Sequence, residues 1–217
     1  PQTAEVRALP QFTRLSKTVE VPMKLEPLES AFIVFRNGSE QPSANSVNYP
    51  EKKVLTTITT PWKVAFEQGK DGPESTQTFE TLTDWSKNAD NKIKYFAGHA
   101  IYTNTFKISK LPEGETYIDL GKVMVMAKVK INGEEVGGVW TPPYRLNITK
   151  YLKKGVNTLE VDVVNNWRNR LIGEKNMPES ERFTKQSFTY LNKDSELQES
   201  GLIGPVEIQN YSYELKK

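Results

Sequence analysis

Residues that could bind a ligand are concentrated in one stretch, Asn166-Trp-Arg-Asn-Arg170. Amides and guanidinium groups beside an aromatic ring are the groups that satisfy vicinal hydroxyls or a carboxylate. They can equally hydrogen-bond the backbone of the irregular segment that follows, which needs internal partners. We therefore treat Asn166, Trp167, Arg168, Asn169 and Arg170 as candidate ligand-binding or loop-organising residues.

Carboxylates lie in the same region, at Asp194, Glu196 and Glu199, with Glu179 and Glu181 upstream. Two carboxyl groups at a fixed separation across a glycosidic bond can serve as acid and base. Closeness in sequence does not set that separation, and charge-rich loops are usually solvated. We therefore assign no catalytic residue and keep Asp194 as a candidate contact.

Trp140 and Tyr144 flank Pro142-Pro143 and form a second candidate site. Rigid aromatic rings can form a platform for a ligand, or they can fill the edge of a β-sandwich. We expect Trp140 to be mostly buried under the 165–200 segment, beside Trp167 or Arg170. Tyr144 is then the residue expected to reach a ligand or a neighbouring domain.

The numbers of Cys and His residues limit the metal sites and nucleophiles that the chain can form. The chain has no Cys and one His, so thiolate and multi-histidine metal sites are excluded, and any Ser-His-Asp triad depends on His99. Calcium needs only carboxylate and carbonyl oxygens, but no Asp-x-Asp-x-Asp-Gly loop occurs. We therefore expect no cofactor and assign no metal ligands, and calcium stays an open alternative without a specific motif.

Composition excludes two classes of partner. The 217 residues are 36% hydrophobic and 26% charged, with 13 Gly and 13 Pro, which indicates a globular protein rich in turns. The formal net charge is +2 and no basic cluster is interleaved with aromatics, so we expect no nucleic-acid binding. No run of eighteen apolar residues occurs, so we expect no membrane span. The chain begins Pro-Gln-Thr-Ala, which we interpret as a processing boundary.

Short strands must position these residues. Apolar and β-branched runs recur at short spacing with few helical patterns between them, which predicts an antiparallel sandwich or jelly roll. The runs fall at 53–59, 62–66, 95–108, 116–120, 125–131, 136–140, 144–148, 157–164 and 205–209. Asn132-Gly133 predicts a type I′ hairpin turn, and Gly137-Gly138 predicts a bend or bulge in the return strand.

The N-terminal region has a separate pattern. Residues 18–24 and 30–36 predict a strand pair, and the turn formers at 37–46 predict a linker or long loop, with the boundary between units at about 37–50. Two strands are marginal alone, so Phe32 and Val34 are expected to dock against the main sandwich. We divide the chain at residues 1–45 and 46–217.

The ordered series of signals from 95 to 163 resembles the sugar-binding, galactose-binding-like jelly-roll domain of family 2 glycoside hydrolases. The matching residues are Tyr95-Phe-Ala-Gly98, Ala100-Ile-Tyr102, Phe106, Ile118-Asp-Leu-Gly121, Val129-Lys-Ile-Asn-Gly133, Gly138, Trp140, Pro143-Tyr144, Ile148-Thr149, Leu152, Gly155-Val-Asn157, Leu159, Val161 and Val163. Residues 165–173 and 194–206 further resemble the C-terminal β-sandwich of bacterial enzymes related to family 106 α-L-rhamnosidases. Residues 1–36 resemble the closing strands of the sandwich that precedes it.

The resemblance implies a non-catalytic, carbohydrate-associated domain that forms the C-terminal part of a secreted or periplasmic bacterial glycoside hydrolase. Its implied partners are a carbohydrate and the catalytic domain of the same polypeptide. Two alternatives stay open: a protein-binding or adhesion module, and a free-standing glycoside hydrolase that uses the loop carboxylates.

Overall fold

The computed structural model describes residues 6–36, 41–43, 45–185 and 190–213 of the chain. In chain order its strands are β1 (Thr13–Arg14), β2 (Val19–Glu20), β3 (Lys52–Thr57), β4 (Trp62–Phe66), β5 (Gln77–Phe79), β6 (His99–Ile108), β7 (Glu115–Asp119), β8 (Lys122–Met124), β9 (Met126–Ile131), β10 (Glu134–Val139), β11 (Arg145–Asn147), β12 (Gly155–Val164), β13 (Gly201–Gly204) and β14 (Glu207–Tyr211). The α-helices are α1 (Asn91–Lys94) and α2 (Arg168–Gly173). Short 3₁₀ turns occur at Trp85–Lys87, Thr149–Tyr151, Glu174–Asn176 and Glu179–Glu181.

Two antiparallel sheets face each other across one hydrophobic core. The larger sheet has the order β10-β9-β12-β6-β4-β5, and the smaller has the order β11-β7-β14-β3. Ile118 and Ile208 from the smaller sheet lie in the same buried cluster as Val129, Val161 and Tyr102 from the larger. The predicted all-β sandwich is therefore confirmed.

Residue alternation explains why these segments form strands. Along β12, Leu159, Val161 and Val163 are buried, while Glu160 and Asp162 on the opposite face are partly exposed. Successive side chains of a strand point to opposite faces, so this pattern specifies both the strand and its register. Strand β12 pairs with β6 and β9 along its length, which makes it the centre of the larger sheet.

The predicted hairpin is also confirmed. Asn132 and Gly133 have φ values of 54° and 85° between β9 and β10, as a type I′ turn requires. The register of β10 shifts between Glu135 and Gly137, which is the predicted irregularity in the return strand.

The N-terminal strand pair lies elsewhere than predicted. The observed pair is β1 with β2, and residues 30–36 form no strand. Phe32 is 84% exposed and Val34 is 70% exposed, so the prediction that they dock on the main sandwich is wrong. A segment that is apolar on both faces needs a covering layer on each side, and the described residues supply neither.

Polar contacts attach the N-terminal region instead. Fully buried Asn48 accepts from the Gln11 backbone N–H at 2.9 Å and donates to the Gln11 carbonyl at 2.7 Å and the Pro22 carbonyl at 3.3 Å. Arg7 donates to the Asn48 carbonyl at 2.7 Å. The predicted linker at 37–46 includes residues 37–40 and 44, which lie outside the described residues.

Candidate functional site

The described part of the segment between β12 and β13 is largely irregular and is anchored at both ends. At its start, Asn165 donates a side-chain hydrogen bond to the Phe96 carbonyl at 2.6 Å. At its end, the Trp85 N–H donates to the Ser200 carbonyl, and the Ser200 N–H donates to Asp84 Oδ1, both at 3.0 Å. The segment is therefore fixed against the core on both sides.

Asn166 and Asn169 organise the segment internally. The Asn169 side chain donates to the Gln198 carbonyl at 2.6 Å and accepts from the Gln198 N–H at 2.8 Å, as a neighbouring strand would. Asn166 donates to the Gln198 side chain at 3.0 Å and accepts from the Arg168 N–H at 3.0 Å. Of the two roles left open for these amides, the contacts display the loop-organising one.

Arg170 is buried in an ion network. Its Nε donates to Glu174 Oε1 at 2.6 Å, and its Nη1 lies 2.9 Å from Asp71 Oδ2. The Arg170 and Glu174 side chains are 6% and 2% exposed, whereas that of Asp71 is about half exposed. The Arg170 guanidinium also lies 5.4 Å from the centre of the Phe183 ring. Arg170 is thus committed to neighbouring residues and does not present its fork to solvent.

Glu174 fastens the following turn. Its carboxylate accepts from the backbone N–H groups of Phe183 and Thr184, each at 3.1 Å, and from the Thr184 hydroxyl. Burial raises the pKa of Glu174, but the hydrogen bonds from Thr184 and Arg170 outweigh burial and hold this pKa below its ordinary value. The charged carboxylate therefore fixes the position of the Phe183 ring.

Phe183 stacks on Trp167. The two ring centres are 6.1 Å apart and the planes are 12° from parallel. Each residue is 44% exposed. Lys70 places its ammonium 5.8 Å from the Phe183 ring centre. We call Trp167 and Phe183 the aromatic pair.

Sequence reasoning identified Trp167 but missed Phe183, Lys70 and Glu174. The only local signal for the last is its spacing of four residues from Arg170, which places the two charges on one helical face. Nothing in the pattern links Phe183 or Lys70 to Trp167, because long-range packing brings them together.

Arg168 and Asp194 are not part of the aromatic pair's support. Arg168 donates from Nη2 to the Glu196 carbonyl at 3.1 Å, and this contact ties α2 to the end of the segment. Asp194 is exposed in a turn closed by the Ser195 N–H and the Asn192 carbonyl at 3.2 Å. No contact between described residues joins Asp194 to Trp167.

Trp140 is exposed, whereas Tyr144 is partly buried. Trp140 is 54% exposed, so the prediction of a mostly buried Trp140 is wrong. Strand β10 is the outer strand of its sheet, and a residue beyond its end has neighbours on one side only. Tyr144 packs partly buried against the core, and burial raises its pKa. Its carbonyl accepts from the Leu120 N–H at 2.9 Å.

The register does place Trp140 at the expected end of the sandwich. Val139 pairs with Ala127, and Ala127 pairs with Val163 on β12. Trp140 therefore leaves the sheet at the end where β12 leads into Asn166, as predicted from the sequence.

The other titratable candidates occupy three separate parts of the structure. Glu199 forms an ion pair with Lys122, and Glu179 and Glu181 lie exposed in a 3₁₀ turn. His99 Nδ1 is 3.1 Å from Asp162 Oδ1 on the outer face of the larger sheet.

Among the described residues, no group of three or more His, Asp or Glu side chains could hold a metal ion. Within the same residues, no helix has the length and apolar character of a membrane span.

Comparison with solved structures shows what this architecture is similar to. A rhamnosidase from Novosphingobium sp. PP1Y superposes with a TM-score of 0.70 and 35% identity, over 78% of this chain and 16% of that one. A β-D-glucuronidase of Dictyoglomus thermophilum superposes with a TM-score of 0.54 and 18% identity, over 75% of this chain and 29% of that one. The second likeness, at this low identity, is one of fold.

Sequence comparison agrees with the structural one. A putative β-glucuronidase of Formosa agariphila is 38% identical over 60% of this chain, a region that makes up 13% of that protein. The chain thus spans a small part of the relatives that it matches. The model of the family described as glycosyl hydrolase 2 galactose-binding domain-like matches residues 80–197, which is more than half of the chain. The chain therefore belongs to the glycosyl hydrolase 2 galactose-binding domain-like family.

Proposed function

We propose that this chain is a non-catalytic, carbohydrate-associated domain of a larger bacterial glycoside hydrolase that resembles the α-L-rhamnosidases. Its partners are a carbohydrate and the catalytic domain of the same polypeptide, and its location is periplasmic or extracellular. The observation that carries the proposal is the structural role of the buried carboxylate in the candidate site. Glu174 is saturated by Arg170, Phe183 and Thr184, and so serves to hold the loop.

The surroundings of the loop carboxylates support this proposal. Glycosidases place two carboxyl groups about 5–10 Å apart on either side of the scissile bond, with one of them able to donate a proton. Here Glu199 is paired with Lys122, and Asp194 and Glu196 are exposed in a turn-rich stretch. The small share of the relatives' length that this chain covers agrees with a supporting role within a longer enzyme.

A hydrolysis assay tests this function. The purified chain is incubated with 4-nitrophenyl α-L-rhamnoside and 4-nitrophenyl β-D-glucuronide, with an active rhamnosidase and an active glucuronidase as positive controls. We expect no release of nitrophenol above the buffer rate. Turnover that is abolished by Asp194→Asn or Glu196→Gln would establish the alternative of a free-standing hydrolase.

A specific observation also favours a protein contact. Phe32, Val34 and Phe35 are each at least 70% exposed within one apolar run, although such runs are typical of strands buried on both faces. We propose that residues 1–45 comprise the closing strands of an adjoining β-sandwich and a linker to the domain at 46–217. The run then packs against that sandwich and not against this domain.

Paired substitutions in the run test this assignment. Phe32→Ser with Val34→Ser should change the free energy of unfolding of the chain by no more than about 0.5 kcal/mol, because both side chains are exposed. The same pair should lower binding of a hydrophobic dye such as ANS. Urea denaturation measures the first effect. A loss of about 2 kcal/mol or more would mean that the run docks on this domain after all.

A further inference from the structure

We propose that the aromatic pair, Trp167 and Phe183, is a platform on which a pyranose ring of a saccharide stacks through its C–H face. This inference rests on the proposed carbohydrate-associated function and assigns it to a surface. Phe183 and Lys70 then join Trp167 in the binding site.

The two rings are held in place before any ligand arrives. Glu174 binds the backbone N–H groups on Phe183 and Thr184, while Arg170 contacts both Glu174 and the Phe183 ring. Trp167 immediately precedes α2, and its carbonyl accepts from the Leu171 N–H at 2.9 Å. A preorganised surface loses little conformational entropy on binding, which is how weak stacking contacts give measurable affinity.

The exposure of the aromatic pair needs an explanation that the fold does not supply. The core also contains a nearly parallel aromatic pair, Trp85 with Tyr102 at 6.2 Å and 3°, but both of those residues are fully buried. The Trp167–Phe183 pair leaves close to half of each residue open to solvent, although burial would have stabilised the fold. Its open surface is therefore available to a ligand.

The charged groups near the pair suit a polyhydroxylated ring. The Lys70 ammonium lies over the Phe183 ring, 5.8 Å from its centre, and the half-exposed Asp71 carboxylate lies 2.9 Å from Arg170 Nη1. A pyranose has C–H groups on its faces and hydroxyls at its edge. It can therefore stack on the exposed surface of the pair while its hydroxyls meet the Lys70 donors and the Asp71 acceptor.

Glycan binding by matched variants tests the platform. The chain is first applied to an immobilised array of neutral and uronate-containing oligosaccharides. The oligosaccharide with the highest signal is then titrated into ¹⁵N-labelled protein and followed by NMR. The variants are Trp167→Ala, Phe183→Ala and Phe183→Leu, with Phe32→Ala as control because Phe32 is an exposed aromatic residue outside the candidate sites.

We expect weak binding by the parent chain, with shifts that include the Trp167 indole N–H. Trp167→Ala and Phe183→Ala should each weaken affinity about tenfold or more, and Phe32→Ala should leave it unchanged. Phe183→Leu keeps apolar bulk without a flat ring and should also lose affinity. Circular dichroism and the urea midpoint confirm that each variant is folded.

Four results would overturn the platform: no binding to any oligosaccharide on the array, unchanged affinity in Trp167→Ala, full affinity in Phe183→Leu, or an equal loss in Phe32→Ala, since binding would then depend on a different surface. These outcomes are independent of hydrolysis. A chain that binds and hydrolyses refutes the proposed non-catalytic role, whereas a chain that does neither refutes the platform and the carbohydrate partner but leaves the non-catalytic role standing.

Discussion

Replacing Glu174 by Gln should expose how much of the candidate site depends on one carboxylate. The amide keeps the size of the side chain but removes its charge, and its NH₂ group would face the N–H and hydroxyl donors of Thr184 or the Arg170 Nε. Removing one partner of a buried ion pair costs about 3–5 kcal/mol. Arg170 retains Asp71 as a partner, so we expect Glu174→Gln to lower the free energy of unfolding by about 2–4 kcal/mol.

The effect should depend on pH with a defined sign. The folded-state pKa of Glu174 lies below its ordinary value, so its stabilising contribution is present above the unfolded pKa of about 4.3. That contribution is lost as the pH falls through the lower folded pKa. The stability difference between the parent chain and Glu174→Gln should therefore be full at pH 7 and should shrink toward pH 3.

Urea denaturation across this pH range measures the global effect, and amide hydrogen exchange at Phe183 and Thr184 measures the local one. We expect exchange at both amides to be faster in Glu174→Gln. Asp194→Asn, which changes an exposed carboxylate in the same segment, is the matched control and should stay within about 0.5 kcal/mol of the parent. If Glu174→Gln is as stable as the parent and equally protected at both amides, the Glu174 network does not hold the loop.

Two further pairs of substitutions test the packing that supports the site. Gly201→Ala should lower the free energy of unfolding by about 2–4 kcal/mol, because φ at this residue is +88° and the new Cβ would lie 2.5 Å from the Trp85 ring. Gly133 has a similar φ of +85°, but a Cβ there would meet nothing within 4 Å. Gly133→Ala should therefore cost only about 1–2 kcal/mol. Trp85→Ala should cost about 3–5 kcal/mol, since it empties the core and removes the 2.6 Å hydrogen bond to the Tyr102 oxygen. Trp140→Ala should cost less than about 1 kcal/mol, because more than half of Trp140 is exposed.

Urea midpoints at pH 7 compare the members of each pair. A Gly201→Ala variant no less stable than Gly133→Ala would mean that the Trp85 ring can move aside, so that the end of the irregular segment is not tightly packed. A Trp140→Ala loss as large as that of Trp85→Ala would restore the interpretation of Trp140 as a buried residue.

The sheet could be predicted because its signals are local. Val161 and Val163 alternate with polar residues, and Asn132-Gly133 marks a turn by its own backbone preference. Each of these signals lies within a few residues of the structure that it specifies. The strand limits accordingly differ from the predicted ones by only a few residues, with β6 beginning at His99 after a short helix that the alternation did not indicate.

The candidate site could be predicted only in part, because its geometry depends on distant partners. Trp167 was found from its neighbours in sequence, but Phe183 lies sixteen positions later and Lys70 precedes β5. The exposure of Trp140 depends on the position of β10 at the edge of its sheet, and strand order cannot be read from the spacing of hydrophobic residues.

Hydrophobicity alone predicts the wrong burial for two segments of this chain. The run containing Phe32 and Val34 is rich in apolar residues, yet it is exposed. The segment after β12 has no apolar periodicity, yet Asn169, Arg170 and Glu174 within it are buried. The two segments differ in their hydrogen-bonding partners. A buried polar side chain is stable only when its hydrogen-bonding groups have partners. Gln198 is the partner of Asn169, Asp71 of Arg170 and Thr184 of Glu174. Polar side chains therefore help to fix the described part of this segment, together with the buried Ile172 and Leu191. Substitutions that remove the charge of Arg170 or Glu174 while keeping the size of the side chain should disturb the aromatic pair more than changes to the exposed rings disturb the fold.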